Sequence, residues 1–131
     1  TLLIKLLITN KLSLKLIKYP KTINALCLNE WFESDRENPI IVDVREKSEL
    51  DIACFPKYFV HLPISKISYE YVQESFSDFL KKEIVVICHA GVRSYSFGLW
   101  LLENNLVREI WNLEEGIDGW SKYVNPEIPR Y

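Results

Sequence analysis

Cys88 and Arg93 bracket the segment Cys-His-Ala-Gly-Val-Arg-Ser, whose residue types suit nucleophilic sulfur chemistry. The β-branched run Ile84–Ile87 before it predicts a buried strand, and apolar residues at helical spacing follow it. We therefore expect Cys88 at the point where a strand turns into a helix. There the unpaired N–H groups and the positive end of the helix dipole favour a thiolate over a thiol.

Two further residues would complete an anion-binding turn around this cysteine. The guanidinium of Arg93 is charged at physiological pH, so it can stabilise a thiolate or hold an anionic substrate. Gly91 can adopt a positive φ without steric cost, which lets the N–H groups of the loop point inward. We expect Cys88 and Arg93 to be catalytic, and the remaining residues of the active-site loop to be His89, Ala90, Gly91, Val92 and Ser94.

The spacing between Cys88 and Arg93 helps to distinguish a cysteine loop that binds sulfur from one that binds phosphate. Four residues lie between them, whereas the comparable loop of cysteine-dependent phosphatases is one residue longer. A tighter ring of N–H groups suits a sulfur atom bound to the cysteine better than a tetrahedral phosphate. A phosphatase or arsenate reductase stays open as an alternative, as does a non-catalytic binding module.

Four motifs, taken in order along the chain, resemble those of the rhodanese (sulfurtransferase) family. They are the strand and turn Pro39–Glu46, the segment Glu49–Pro63, the cysteine loop Cys88–Ser94 and the segment Glu115–Trp120. The departures from the family pattern lie outside the cysteine loop, at Ala53, Cys54, Lys57 and Glu115.

The resemblance implies a rhodanese-like three-layer α/β fold and a sulfurtransferase activity. Cys88 would carry a persulfide and pass sulfane sulfur from a donor, either thiosulfate or the persulfide of a cysteine desulfurase, to a nucleophilic acceptor. The covalent persulfide takes the place of a cofactor, and none is expected. Asp43 and Arg45 would support the loop rather than take part in catalysis.

Alternating strand and helix patterns independently predict a mostly parallel central sheet with helices on both faces. In such a sheet ligands bind beyond the carboxyl ends of the strands, where Cys88 falls. The predicted strands are Ile23–Leu26, Ile40–Val44, Phe59–Leu62, Ile84–Ile87 and Glu109–Leu113. The predicted helices are Leu28–Glu33, Lys47–Leu50, Tyr69–Leu80, Ser94–Glu103 and Gly116–Tyr123.

The two ends of the chain differ from the middle. Residues 1–20 contain lysines and no acidic residue, and Lys5 interrupts the apolar run, so we expect no membrane span. We interpret 1–21 as a linker or the remnant of a preceding domain, and 22–131 as the rhodanese-like domain with a tail from about residue 124.

The tail Asn125–Tyr131 resembles the C-terminus of rhodanese domains fused behind ubiquitin-activating-enzyme-like adenylyltransferases. Those proteins serve molybdopterin synthase or the thiolation of small carrier proteins. The resemblance implies a sulfur-carrier protein as the acceptor. A free-standing single-domain rhodanese stays open as the alternative.

Composition bears on the number of domains, the partners, the compartment and the metal content of the protein. The chain of 131 residues with 48% hydrophobic content is long enough for one core, and its net charge of -2 argues against nucleic acid as a partner. Three cysteines do not form a disulfide scaffold, which favours a reducing compartment, the cytoplasm or the plastid stroma. The spacing of His and Cys predicts no metal site, and Cys27 and Cys54 are expected to be small buried side chains.

Overall fold

Strands and helices alternate along residues 18–79 and 81–131, which the computed structural model describes. The strands are β1 (Lys21–Ile23), β2 (Ile40–Asp43), β3 (Phe59–His61), β4 (Ile84–Ile87) and β5 (Trp111–Leu113). The helices are α1 (Ala25–Glu33), α2 (Lys47–Ile52), α3 (Tyr69–Phe76), α4 (Val92–Glu103) and α5 (Gly116–Tyr123), with a 3-10 turn at Ile64–Lys66. The strands pair in parallel in the order β1-β5-β4-β2-β3, which confirms the predicted α/β class.

The core lies on both faces of this sheet. All four residues of β4 are buried, and successive side chains point to opposite faces. Ile84 and Val86 pack with residues of α3 and α4, whereas Val85 and Ile87 pack with residues of α1 and α5. The result is three layers, with β4 in the middle of the sheet and its carboxyl end at the same edge as those of β2 and β5.

Several elements begin or end at other residues than predicted. The strand predicted at Ile23–Leu26 ends at Ile23, because the side chain of Asn24 accepts the N–H of Cys27 at 2.8 Å and starts α1 at Ala25. The helix predicted to reach Leu80 ends at Phe76, and Leu80 lies outside the described residues. These boundaries depend on capping hydrogen bonds, which hydrophobic periodicity does not report.

Two other elements also begin at residues that differ from the prediction. The helix predicted from Ser94 begins at Val92, because Gly91, with φ +94°, turns the chain directly before it. The strand predicted from Glu109 begins at Trp111. The prediction for α5, Gly116–Tyr123, is confirmed residue for residue.

The prediction that Cys27 and Cys54 are buried is wrong, since both side chains are exposed. The buried face of α1 is formed by Ala25, Leu28 and Trp31, and Cys27 lies off this face. Cys54 lies in extended chain between buried Ala53 and buried Phe55, so its side chain points the other way, to the surface.

The N-terminal segment is described only in part. The predicted linker or domain remnant at 1–21 lies mostly outside the described residues, and Lys21 at its end pairs with Trp111 in the sheet. Within the described ranges, no helix is both long enough and apolar enough to cross a membrane.

Candidate active site

Cys88 directly follows β4 and lies at the carboxyl edge of the sheet, next to β2 and β5. Its side chain is almost fully buried, at 1% exposure. Two donors reach its Sγ: the N–H of Gly91 at 3.1 Å and the hydroxyl of Ser94 at 3.2 Å. The loop therefore already points hydrogen-bond donors at the sulfur atom, as a thiolate or a persulfide requires.

Helix α5 fixes the outer side of this loop. The carbonyl of Cys88 accepts the N–H of Ile117 at 2.9 Å, and the carbonyl of His89 accepts the N–H of Asp118 at 3.0 Å. These donors belong to the first turn of α5, whose N–H groups have no partner within the helix. The loop carbonyls therefore satisfy the free N–H groups at the start of α5, and these hydrogen bonds in turn hold the path of the cysteine loop.

Asn112 of β5 contacts both residues, Gly91 and Ser94, whose groups lie against the sulfur. Its side-chain amide donates to the carbonyl of Gly91 at 3.0 Å, and its Oδ1 accepts from the Ser94 hydroxyl at 2.5 Å. Because a hydroxyl has one proton, Ser94 donates either to Asn112 or to the Sγ of Cys88. Sequence reasoning missed Asn112, because only the pairing of β4 with β5 brings it beside the loop.

Arg93 pairs with Glu49 of α2. Its Nη1 and Nη2 donate to the two carboxylate oxygens of Glu49 at 2.8 and 2.7 Å, in the bidentate geometry typical of such pairs. This contact raises the pKa of Arg93 above its usual range despite some desolvation. Glu49 was not predicted as a site residue. It lies in one of the four motifs, but the sequence does not show that its side chain pairs with Arg93.

The carboxylate of Glu49 has four donors, two from Arg93, one from the backbone N–H of Glu46 and one from the hydroxyl of Tyr131. The hydrogen bonds from Arg93 contribute most, and together these contacts lower the pKa of Glu49 from 4.5 to about 2, against the effect of burial. The folded state therefore binds this proton less readily than the unfolded chain.

A pH dependence of stability follows from the lowered pKa of Glu49. Because its pKa is lowered in the folded state, ionised Glu49 contributes its full stabilisation above about pH 4.5. This contribution is lost as the pH falls toward about 2 and the carboxylate is protonated. We expect the free energy of unfolding to fall less over this interval in Glu49→Gln than in the unmodified protein. Urea unfolding at several pH values would measure it, with exposed Glu30→Gln as the control. Parallel curves for Glu49→Gln and the unmodified protein would contradict the prediction.

Asp43 and Arg45 form a fully buried ion pair at the end of β2. The guanidinium donates to the carboxylate at 2.7 to 3.1 Å, and the carbonyl of Arg45 contacts Nε2 of His61 at 2.7 Å. Burial disfavours the charge of Arg45, but hydrogen bonds with Asp43 and Tyr131 outweigh it and raise its pKa. The pair fixes the turn beside the cysteine loop.

Tyr131 connects this pair to the loop. Its hydroxyl accepts from Nη1 of Arg45 at 3.0 Å and donates to Glu49 at 3.0 Å. Its ring stacks on that of His89, with centroids 4.0 Å apart and an angle of 11° between the planes. Burial raises the pKa of Tyr131, partly offset by Arg45. No spacing rule links a tail residue to the loop, so this contact could not be predicted from the sequence.

The predicted site residues thus lie in one loop but in different surroundings. Cys88 and Ser94 are buried, His89, Gly91 and Arg93 are partly buried, and Ala90 and Val92 are exposed. The catalytic and binding roles assigned to them from the sequence stay predictions. Within 18–79 and 81–131, no group of three or more His, Cys, Asp or Glu side chains could hold a metal ion.

The fold and the site together define a three-layer α/β domain with a cysteine loop beyond its central strand. Residues 28–123 match the Rhodanese-like domain family. The chain belongs to this family, as the sequence motifs indicated.

Two relatives agree with this assignment. The chain is 30% identical over 108 residues to the Rhodanese-like/PpiC domain-containing protein 12, chloroplastic, of Arabidopsis thaliana, covering 78% of this chain but only 36% of that protein. It is 24% identical over 101 residues to a sulfurtransferase of Allochromatium vinosum, covering 72% of this chain and 83% of the relative.

The fold is also that of solved members of the family. The crystal structure of a rhodanese-like domain protein from Staphylococcus aureus superposes with a TM-score of 0.63, at 21% identity, over 85% of this chain and 98% of that one. At this identity the comparison shows the three-layer fold alone.

Proposed function

We propose that the chain is a sulfurtransferase that carries sulfane sulfur as a persulfide on Cys88. The proposal rests above all on the buried Sγ of Cys88, which accepts the N–H of Gly91 and has the Ser94 hydroxyl within 3.2 Å. These donors can stabilise the attacking thiolate and the sulfur of the intermediate without a metal or an organic cofactor. A sulfurtransferase among the relatives supports the same chemistry.

The reaction consists of two displacements at sulfur. In the first, the Cys88 thiolate attacks the outer sulfur of thiosulfate; a new S–S bond forms, the S–S bond of thiosulfate breaks, and sulfite leaves with the electron pair. In the second, a nucleophile such as cyanide attacks the terminal sulfur of the persulfide. Thiocyanate forms, and the electron pair of the broken S–S bond returns to Cys88 as a thiolate.

A loading experiment tests the first displacement. After incubation with thiosulfate and removal of the excess, we expect the protein to gain the mass of one sulfur atom, localised by peptide mapping to Cys88. Addition of cyanide should remove this mass and release an equivalent amount of thiocyanate. A protein that gains no mass and releases no thiocyanate would refute the proposal.

The two exposed cysteines provide the matched control. Cys27 and Cys54 are accessible to reagents, whereas Cys88 is buried in its loop. The double variant Cys27→Ser/Cys54→Ser should load sulfur as the unmodified protein does. If its loading disappeared, the persulfide would belong to one of the exposed thiols, and Cys88 would lose its proposed role.

A more specific role concerns the donor and the acceptor in the cell. We propose that a cysteine desulfurase persulfide supplies the sulfur and that the acceptor is the activated C-terminus of a sulfur-carrier protein, in molybdopterin synthesis or another thiolation. The resemblance of the tail Asn125–Tyr131 to rhodanese domains fused to adenylyltransferases supports this acceptor. Transfer of labelled sulfur from the Cys88 persulfide to an adenylated carrier protein, measured by mass, would test it.

We also propose that the protein works in a reducing compartment, the cytoplasm or the plastid stroma. All three cysteines are free thiols in the structure, and persulfide chemistry at Cys88 requires a free thiol. The word chloroplastic in the name of the Arabidopsis relative applies to that protein and agrees with the second location. Localisation of a fluorescent fusion would decide between them.

A further inference from the structure

The chain segment after α5 returns to the active site, although it lies beyond residues 28–123 that match the family. The hydroxyl of Ser121 donates to the carbonyl of Ile128 at 2.5 Å, and the Ile128 side chain is buried in the core on the α1–α5 side of the sheet. The segment is therefore packed against the domain.

A second contact holds this segment beside the loop. The guanidinium of Arg130 donates to both carboxylate oxygens of Asp118, at 2.8 and 3.1 Å. Asp118 is also the residue whose backbone N–H holds the carbonyl of His89. The ion pair thus places Tyr131 next to the part of α5 that supports the cysteine loop.

Tyr131 contacts the cysteine loop with its ring. Its hydroxyl contacts the charged side chains nearby. The ring lies parallel to the imidazole of His89, the residue that follows the nucleophile. The hydroxyl bridges Arg45 of the buried pair and Glu49, the partner of Arg93. These contacts join the loop after β4 to the turn after β2 and to α2.

We propose that Tyr131 is a positioning residue of this site. Its ring, stacked on His89, holds the cysteine loop in the conformation in which the N–H of Gly91 donates to the Sγ of Cys88. The stacked ring restricts the imidazole of His89, whose backbone carbonyl accepts the N–H of Asp118. Small misplacements of a reacting group slow a reaction strongly. The effect on sulfur transfer rests on the proposed function, whereas the effect on the loop conformation does not.

Two variants separate the ring from the hydroxyl. Tyr131→Phe keeps the ring and removes the bridge to Arg45 and Glu49, whereas Tyr131→Ala removes both. We expect persulfide formation at saturating thiosulfate to be about tenfold slower in Tyr131→Ala and within about twofold of the unmodified rate in Tyr131→Phe. The KM for thiosulfate should change little in either variant, because the pair of Arg93 with Glu49 remains. Tyr58→Ala, at a 78% exposed position, is the control.

Amide hydrogen exchange gives a measurement that does not depend on sulfur chemistry. The Gly91 amide, which donates to Cys88, should exchange about tenfold faster in Tyr131→Ala and at the unmodified rate in Tyr131→Phe and Tyr58→Ala, while amides of β3 keep their rates. If the unmodified protein formed no persulfide but Gly91 exchange still rose, the proposed function would fail and the positioning of the loop would stand. The inference would be overturned if the Gly91 exchange rate were unchanged in Tyr131→Ala, or if Tyr131→Ala and Tyr131→Phe changed it equally.

Discussion

Cys88→Ser should reduce the rate of thiocyanate formation from thiosulfate and cyanide by a factor of about 10³ or more. A serine hydroxyl is nearly the same size as a thiol, so the loop and its contacts with Gly91 and Ser94 can persist. It cannot, however, form the S–S bond that stores the sulfur. The loss should therefore appear in the rate of turnover, with little change in the melting temperature.

Substitutions of the other two cysteines are the controls for this result. Cys27→Ser and Cys54→Ser make the same chemical change at exposed positions and should keep the rate within about twofold. Turnover would be followed as thiocyanate released, on proteins whose circular dichroism spectra agree. A Cys88→Ser protein that still turned over, or a Cys54→Ser protein that did not, would contradict the assignment of Cys88 as the nucleophile.

The local part of this site was predictable because it is contiguous in sequence. An apolar run, a cysteine, a glycine and an arginine within ten residues specify a strand, a turn and a helix start, and the structure places the sulfur of Cys88 and the positive φ of Gly91 there. The parallel three-layer fold was predictable for a related reason. Alternating elements with buried strands leave few other arrangements.

The residues that surround the loop could not be identified in the same way. Glu49, Asn112 and Tyr131 reach it from α2, β5 and the tail, and each is joined to a partner far along the chain. Their contacts depend on strand order and side-chain direction, which a single sequence does not specify. Arg93 shows the consequence: its charge beside the loop could be predicted, whereas its bidentate pair with Glu49 could not.

The burial of Cys27 and Cys54 was predicted wrongly, and the reason is again that a single sequence does not specify side-chain direction. A cysteine is most often buried as a small apolar residue, and composition alone predicts that. Which face a residue occupies is decided by its neighbours, here Leu28 beside Cys27 and the pair Ala53 and Phe55 around Cys54. Both thiols can therefore serve as accessible internal controls for the buried one.

The turn between β5 and α5 holds two adjacent residues in the left-handed region, Glu115 with φ +62° and Gly116 with φ +58°. A Cβ at Gly116 would lie 2.3 Å from the carbonyl oxygen of Cys88 and 2.5 Å from that of His89, so the helix can approach the loop only with glycine there. Glu115, an exposed residue, has a Cβ in the same strained region and stands where the family pattern has glycine.

The two neighbours should therefore respond to substitution in opposite directions. Gly116→Ala adds the cost of a positive φ, about 1–2 kcal/mol, to a clash with two backbone carbonyls, and should lower the free energy of unfolding by about 3 kcal/mol or more. Because those carbonyls belong to the cysteine loop, persulfide formation should fall with it. Glu115→Gly removes a similar φ cost but increases the freedom of the unfolded chain, which leaves a gain of about 0.5–1 kcal/mol. Urea unfolding of both variants measures these changes. An unchanged stability of Gly116→Ala would contradict the need for glycine beside Cys88, and a loss of stability in Glu115→Gly would contradict the strain at Glu115.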